Sequence, residues 1–251
     1  MKRIVIKVGS AVLAEQNHIA RDRMQALVDL IVDLRKKYDV ILVTSGSVAA
    51  GYTELKLDKK ILANKQALAA IGQPLLMHRY KKQFEPYNVI TSQVLVTTSN
   101  FNTSEQVKIA ENAVSTLLEH KVLPIINEND ATSVDELLLG DNDQLSAYAA
   151  FYFNAELLVI LSDIDAYYDH DPRINPNAKA YKIVPNIRKS ELEGSVTPNS
   201  SFATGGIVTK LKAADFLLKR GQKMFLASGF NLDNARSFLL DNEHKGGTLF
   251  Q

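Results

Sequence analysis

The sequence predicts an α/β fold, a doubly wound sheet with helices packed on it. Two observations carry this. Short runs of β-branched and aliphatic residues alternate with stretches of helical periodicity from Ile4 to Phe250. The small and polar clusters fall at the ends of those runs or at helix starts, where open α/β sheets bind ligands.

The first run, Lys2-Arg3-Ile4-Val5-Ile6-Lys7-Val8-Gly9-Ser10, reads as a buried strand closed by a glycine turn. Lys7 lies inside the apolar run. A lysine there must snorkel, pair with an anion or lose its proton. The turn after it could aim backbone N–H groups at an anion. An edge strand with an exposed lysine is the alternative.

Arg21–Tyr38 predicts an amphipathic helix, because Met24, Leu27, Val28, Ile31 and Leu34 share one face. Val40–Val43 is a second strand. It runs into Thr44-Ser45-Gly46-Ser47-Val48-Ala49-Ala50-Gly51, whose small residues admit close ligand approach. A helix follows over Ile61–Phe84, with a break or kink expected at Gly72-Gln73-Pro74. Asn88–Thr97 reads as a strand. Thr103-Ser104-Glu105-Gln106 resembles a capping box for a helix reaching His120.

Val122–Ile126 is the next strand, followed by Asn127-Glu128-Asn129-Asp130. Gly140-Asp141-Asn142-Asp143 then precedes a helix through Phe153. Turn and cap chemistry would explain either cluster alone. Leu157–Leu161 is the most apolar strand and ends in Ser162-Asp163. Ala166–Lys179 is a long loop with two prolines, Tyr181–Val184 a short strand, and Glu193–Phe202 reads as a mobile loop. Thr204-Gly205-Gly206-Ile207-Val208-Thr209-Lys210 leads into a helix to Arg220. Lys223–Ala227 is a strand, Asn231–Leu240 a helix and Gly247–Phe250 a closing strand.

The 251 residues allow one large domain or two lobes. With 29 basic and 28 acidic residues, the balanced charge argues against a nucleic-acid protein. The absence of cysteine excludes disulfides and thiol catalysis and fits a reducing compartment; a cytoplasmic location is expected. The five histidines show no metal-ligand spacing. Lys7 interrupts the apolar run after Met1-Lys2-Arg3, so no signal peptide is expected. No run approaches the ~20 residues of a membrane span.

Chance turn chemistry explains each polar cluster but poorly explains all of them on one rim. Motifs for a Walker-A loop, a dinucleotide fingerprint, a nucleophile elbow and a protein kinase are absent. What remains is two lysines beside glycine loops, Lys7 and Lys210, with Asp130, Asp141, Asp143 and Asp163. Phosphoryl transfer uses this mixture: cations offset charge on the moving group, while amides and a metal hold the rest.

The ordered motifs resemble the glutamate 5-kinases of the amino acid kinase superfamily. They are Val5–Ser10, Val43–Gly51, Lys65-Gln66 with Ala69–Gln73, Pro124–Ala131, Gly140–Ala147 and Thr204–Lys210. The resemblance implies a three-layer αβα sandwich with a mostly parallel central sheet. It implies a single kinase domain over residues 1–251, with an amino-acid lobe at 1–155 and a nucleotide lobe at 156–251. The reaction implied is transfer of the ATP γ-phosphoryl to the side-chain carboxylate of L-glutamate, the first step of proline biosynthesis. By position, Lys7 and Lys210 would offset phosphoryl charge and Asp143 would hold both. Ser45, Gly46, Asn127, Asp130 and Asn142 would bind glutamate. Lys7, Ser162, Asp163, Thr204, Gly205, Gly206, Ile207, Val208, Thr209 and Lys210 would bind nucleotide. Mg²⁺ would bridge the ATP phosphates and touch the protein mostly through water, with no protein ligand assigned.

The family pattern also implies a homo-oligomer, inhibition by proline, and a γ-glutamyl phosphate reductase acting on the product. Ser162 stands where threonine is common and Ala166 where glycine is frequent. The sequence stops just after Phe250, so the small RNA-modification-type (PUA) domain of many bacterial members is not expected. Sibling kinases acting on acetylglutamate, aspartate, carbamate or UMP remain alternatives, as does a non-catalytic binding protein on the same fold. Asp130 favours a free ammonium over an acetylated amine or a base.

Overall fold

β1 (Lys2–Val8) lies at the centre of the sheet, not at its edge. The computed structural model describes residues 1–15, 18–133, 142–193 and 206–251. After β1 come α1 (Ser10–Leu13), the small hairpin β2 (Ala14–Glu15) and β3 (His18–Ile19), α2 (Arg21–Leu34) and β4 (Tyr38–Val43). Then follow α3 (Ser47–Glu54), α4 (Leu62–Phe84), β5 (Thr91–Val96), α5 (Ser104–Glu119) and β6 (Leu123–Glu128). The second half runs α6 (Asp143–Tyr152), β7 (Leu157–Ser162), β8 (Ile183–Val184), α7 (Lys189–Leu192), α8 (Gly206–Leu218), β9 (Lys223–Ser228), α9 (Asp233–Arg236) and β10 (Thr248–Phe250).

The main sheet has the order β5-β6-β4-β1-β7-β9-β10-β8. Every pairing in it is parallel except β9 with β10. β1 pairs with β4 on one side and β7 on the other, so the chain winds outward in both directions from it. A crevice opens at the carboxyl end of such a switch point.

Alternation along the strands builds two cores. Ile4, Ile6 and Val8 face α2 and α4, with Leu76, Tyr80 and Phe84. Val5, Ile41, Val43, Leu158 and Ile160 face α5, α6 and α8. This is a three-layer αβα sandwich, and strands buried on both faces account for their near-continuous apolar runs. The expected stripe of α2 is fully buried: Met24, Leu27, Val28, Ile31 and Leu34.

Several boundaries differ from expectation. α2 stops at Leu34, because Tyr38 is drawn into the sheet by pairing with Lys2. Asn88 adopts φ 54° and closes a preceding turn, so β5 begins only at Thr91. β6 runs on through Glu128, paired with Val96, so Asn127 and Glu128 are strand residues and not loop residues. The expected helix at Asn231 begins at Asp233, because Ser228 Oγ and Asn231 Oδ1 hold the preceding amides in a loop.

α4 passes through Pro74 without ending. Pro74 and Ala70, whose carbonyl loses its helical partner, both lie on the exposed side where water can serve it. Gly72 is there for a different reason: α3 crosses α4 so closely that a Cβ on Gly72 would sit 1.8 Å from the Ser47 carbonyl. No helix among the described residues is long and apolar enough to cross a membrane.

Candidate active site

Lys7 follows Val5 on one face of β1, and its ammonium reaches Asp143 at the first turn of α6. Lys210, one turn into α8, reaches the other oxygen of the same carboxylate at 3.0 Å. Thr209 Oγ1 also donates to that oxygen, at 3.2 Å. Lys210 in turn donates to the Gly206 carbonyl at 2.9 Å. All three charged groups are buried, with Asp143 fully inaccessible. Two lysines 203 residues apart in sequence thus meet at one point. Burying them separately would be costly, and a shared carboxylate reduces that cost.

Beside this point lies a cradle formed by β4, β6 and the start of α6. The Asn142 carboxamide N–H₂ donates to the Thr44 carbonyl at 2.9 Å, to Ser45 Oγ at 3.1 Å and to Asn127 Oδ1 at 2.9 Å. Gly46 adopts φ 106°, a left-handed turn that ordinary side chains strain, and opens α3. At its first position Ser47 donates to Asp130 Oδ2 at 3.0 Å. Thr44 Oγ1 meets the Tyr80 hydroxyl at 2.7 Å. Complete burial raises the Tyr80 phenol well above its ordinary pKa, and the bond to Thr44 offsets only part of this. Tyr80 is therefore a neutral prop under the Thr44-Ser45 turn. A cavity of about 270 Å³ opens next to the cradle, lined by Ser47, Gln73, Gln93, Glu128 and Asp130 among others.

The opposite side is sparser. Ser162 Oγ donates to its neighbour Asp163 at 2.8 Å and accepts the Ile164 amide at 3.3 Å. Asp163 itself is exposed. Ile164 packs against the start of α8, 3.6 Å from where a Gly206 Cβ would stand. Ile207 is buried in the core and Val208 packs on its edge. Thr204, Gly205 and Asp141 lie outside the described residues, as does the Glu193–Phe202 loop from residue 194 onward.

Of the amides in the turn after β1, one is already committed. The Gly9 amide donates to the Leu161 carbonyl at 3.0 Å and is not available to an anion. Ser47, Gln73 and Gln93 received no role from sequence reasoning, yet they buttress the cradle. Their partners lie 83, 54 and 20 residues away, beyond the reach of local pattern. Among the described residues no three His, Asp or Glu side chains are grouped to hold a metal. Both Asp143 oxygens are engaged by lysines.

Known proteins agree with this architecture. The sequence profile of the amino acid kinase family matches residues 2–228. A glutamate 5-kinase from Wolinella succinogenes is 56% identical over 255 residues, covering 100% of this chain and 98% of that protein. One from Leishmania donovani is 52% identical over 250 residues, covering 100% and 95%. The crystal structure of UMP kinase from Ureaplasma parvum superposes with a TM-score of 0.65 over 100% of this chain and 98% of its own, at 18% identity, which speaks to the fold. With a matching profile over most of its length and close relatives along all of it, the chain belongs to the amino acid kinase family.

Proposed function

We propose that the protein transfers the γ-phosphoryl of ATP to the side-chain carboxylate of L-glutamate, giving γ-glutamyl phosphate and ADP. The observation that carries this is the pair of ammonium groups held by one buried carboxylate beside a polar cradle. The relatives named glutamate 5-kinase support the choice of acceptor.

The chemistry follows from charge. A glutamate side chain, with an ordinary pKa of about 4.3, is already deprotonated near neutral pH. Its oxygen attacks the γ-phosphorus, the bond from that phosphorus to the β,γ-bridging oxygen breaks, and ADP leaves with the electron pair. No proton has to be removed, so no general base is required. The barrier is instead the approach of two anions. Lys7 and Lys210, fixed before substrate arrives, supply positive charge where it accumulates. Asp143 keeps them together.

The acceptor would lie in the Ser45, Gly46, Asn127, Asp130 and Asn142 cradle, with the Asp130 carboxylate suited to a free ammonium. The donor would lie along Ser162, Asp163 and the Thr204–Lys210 segment. On this reading residues 1–155 form the amino-acid lobe and 156–251 the nucleotide lobe. The cradle side chains come from positions 44–143, while the Ser162-Asp163 pair and the start of α8 come from the other half. Magnesium would enter with ATP, held by phosphate oxygens and water, since Asp143 is committed to the lysines.

The test is glutamate-dependent ADP release with Mg²⁺, the acyl phosphate being trapped as a hydroxamate. Hydroxamate formed with glutamate, and not with acetylglutamate, aspartate, carbamate or UMP as acceptor, is the expected result. Folded protein that yields none refutes the reading.

A further inference from the structure

The cradle is the inner end of a longer chain of carboxamides. Asn142 Nδ2 donates to Asn127 Oδ1 at 2.9 Å. Asn127 Nδ2 donates to Gln73 Oε1 at 2.8 Å. Gln73 Nε2 donates to Gln93 Oε1 at 3.1 Å. The ladder runs from the edge strand β5, through α4 and β6, to the first residue before α6. Gln73 is 8% exposed, and Asn127 and Asn142 are each 1% exposed.

Main-chain atoms set the direction of the two inner amides, and those in turn set the direction of Gln73. The Glu128 backbone N–H donates to Asn127 Oδ1 at 3.0 Å, so that atom is the acceptor. The Thr44 carbonyl accepts from Asn142 at 2.9 Å, so that atom is the nitrogen. Asn127 must therefore present its N–H₂ outward, and the Gln73 carbonyl is placed to receive it. The inner consequence is specific. Asn142 shares its two N–H bonds among three acceptors, and its buried Oδ1 has no hydrogen-bond partner among the described residues. A buried acceptor of this kind is costly until a donor arrives.

We propose that Gln73 is a positioning residue that holds the Asn127–Asn142 pair in the orientation that leaves Asn142 Oδ1 free for a donor on the acceptor substrate, its ammonium. This rests on the function proposed above. Without the Gln73 carbonyl, the outward Asn127 N–H₂ has lost its acceptor at a buried position. A turn of Asn127 that relieves this sets donor against donor at Asn142. The defect is then felt where substrate binds, although Gln73 is two links away. Gly72, its neighbour, fixes its place: the close crossing of α3 and α4 sets Gln73 beside β6 and Ser47 beside Asp130.

The experiment is a double-mutant cycle of Gln73→Leu and Asn127→Ala, read on the KM for glutamate, the KM for ATP and kcat. Gln73→Leu should raise the glutamate KM by about tenfold with kcat and the ATP KM within about twofold. In the Asn127→Ala background the same change should add less than about twofold, because the route is already cut. A second readout needs no substrate: hydrogen exchange of the Asn142 carboxamide protons should be about tenfold faster in Gln73→Leu. Additive KM effects with unchanged Asn142 exchange would overturn the proposal. Should Gln73→Leu fail to fold, Gln93→Leu, one link further out, should shift both readouts in the same direction by about threefold, and no shift overturns the ladder. Wild-type protein inert toward glutamate would defeat the functional reading alone, since the exchange measurement still decides whether Gln73 orients Asn142.

Discussion

The two sides of the crevice are built on different physical plans. On the side proposed to take the acceptor, Ser45, Asn127, Asp130 and Asn142 are buried and bonded to one another, to Ser47 of α3, to Gln73 of α4 or to the Thr44 carbonyl. On the side proposed to take the donor, Ser162 bonds its own neighbours, Asp163 is exposed, and Ile207 and Val208 contribute packing. The acceptor side is fixed before substrate arrives, which favours selectivity among small, similar molecules. The side proposed to take the donor holds fewer fixed polar side chains among the described residues, which suits a nucleotide whose phosphates can be held by amides of any sequence. Lys7 and Lys210 stand between, one from each half, joined through Asp143.

The largest test of that division is at the junction. Lys7→Ala or Lys210→Ala should lower kcat by about 10²–10³ or more, the scale for losing one preorganised charge-stabilising group. Both KM values should move less, and circular dichroism should show a folded protein. Comparable kcat losses for the two variants would place both lysines at the transferring group. If one variant changed only the ATP KM, that lysine would belong to the donor side alone.

Next in size is the acceptor side. Asp130→Ala removes the partner of the Ser47 hydroxyl and the charge facing an ammonium. The glutamate KM should rise by about 10- to 100-fold, as for a charged hydrogen bond worth about 1.5–3 kcal/mol. The ATP KM should hold. A change confined to the ATP KM would reverse the assignment of the two sides.

The crossing that brings Ser47 and Gln73 to the cradle can be tested by packing. Gly72→Ala places a methyl 1.8 Å from the Ser47 carbonyl and 2.4 Å from the Gly51 nitrogen. Relief requires the helices to part, so stability should fall by about 1–3 kcal/mol, read by denaturant unfolding. Surviving protein should lose glutamate affinity before ATP affinity. An ATP-first loss would mean that α3 and α4 do not serve the acceptor side.

These cases show what could be read from sequence. Lys7 was legible because an ammonium inside an apolar run demands a partner, though nothing local names Asp143. The α2 stripe was legible because all five of its residues obey one period. The span of α4 was legible as well, Leu62–Phe84 against an expected Ile61–Phe84, whereas the reason it continues past Pro74, the side of the helix that faces water, is a property of its neighbours. Asn127 and Glu128 looked like a turn, since Asn and Asp favour turns, until parallel pairing with β5 extended β6 over them. The Gly9 amide looked open to an anion, but the Leu161 carbonyl of β7 claims that one amide. In each miss, a contact distant in sequence overrode a correct local tendency.

The smallest effect concerns the contacts of α7 in the half proposed to take the donor. Tyr167 donates to Glu191 at 2.6 Å, and Arg188 donates to the same carboxylate at 3.2 Å. Burial pushes the Glu191 carboxyl up, but the bonds from Arg188 and Tyr167 outweigh it and leave the group below its ordinary pKa. Burial, then the bond to Glu191, raises the Tyr167 phenol. A carboxyl depressed on folding stabilises the native state above its unfolded pKa, and the gain disappears as pH falls through the folded value. Wild type should therefore exceed Glu191→Gln in stability at pH 7, by at most about 1 kcal/mol because Arg188 is exposed. The difference should shrink toward zero below about pH 4. Thermal melts at both pH values check this. A gap that persists in acid would mean that Glu191 acts by shape and not charge. The donor side would then be preorganised by packing, as the acceptor side is, and the contrast drawn between the two sides would weaken.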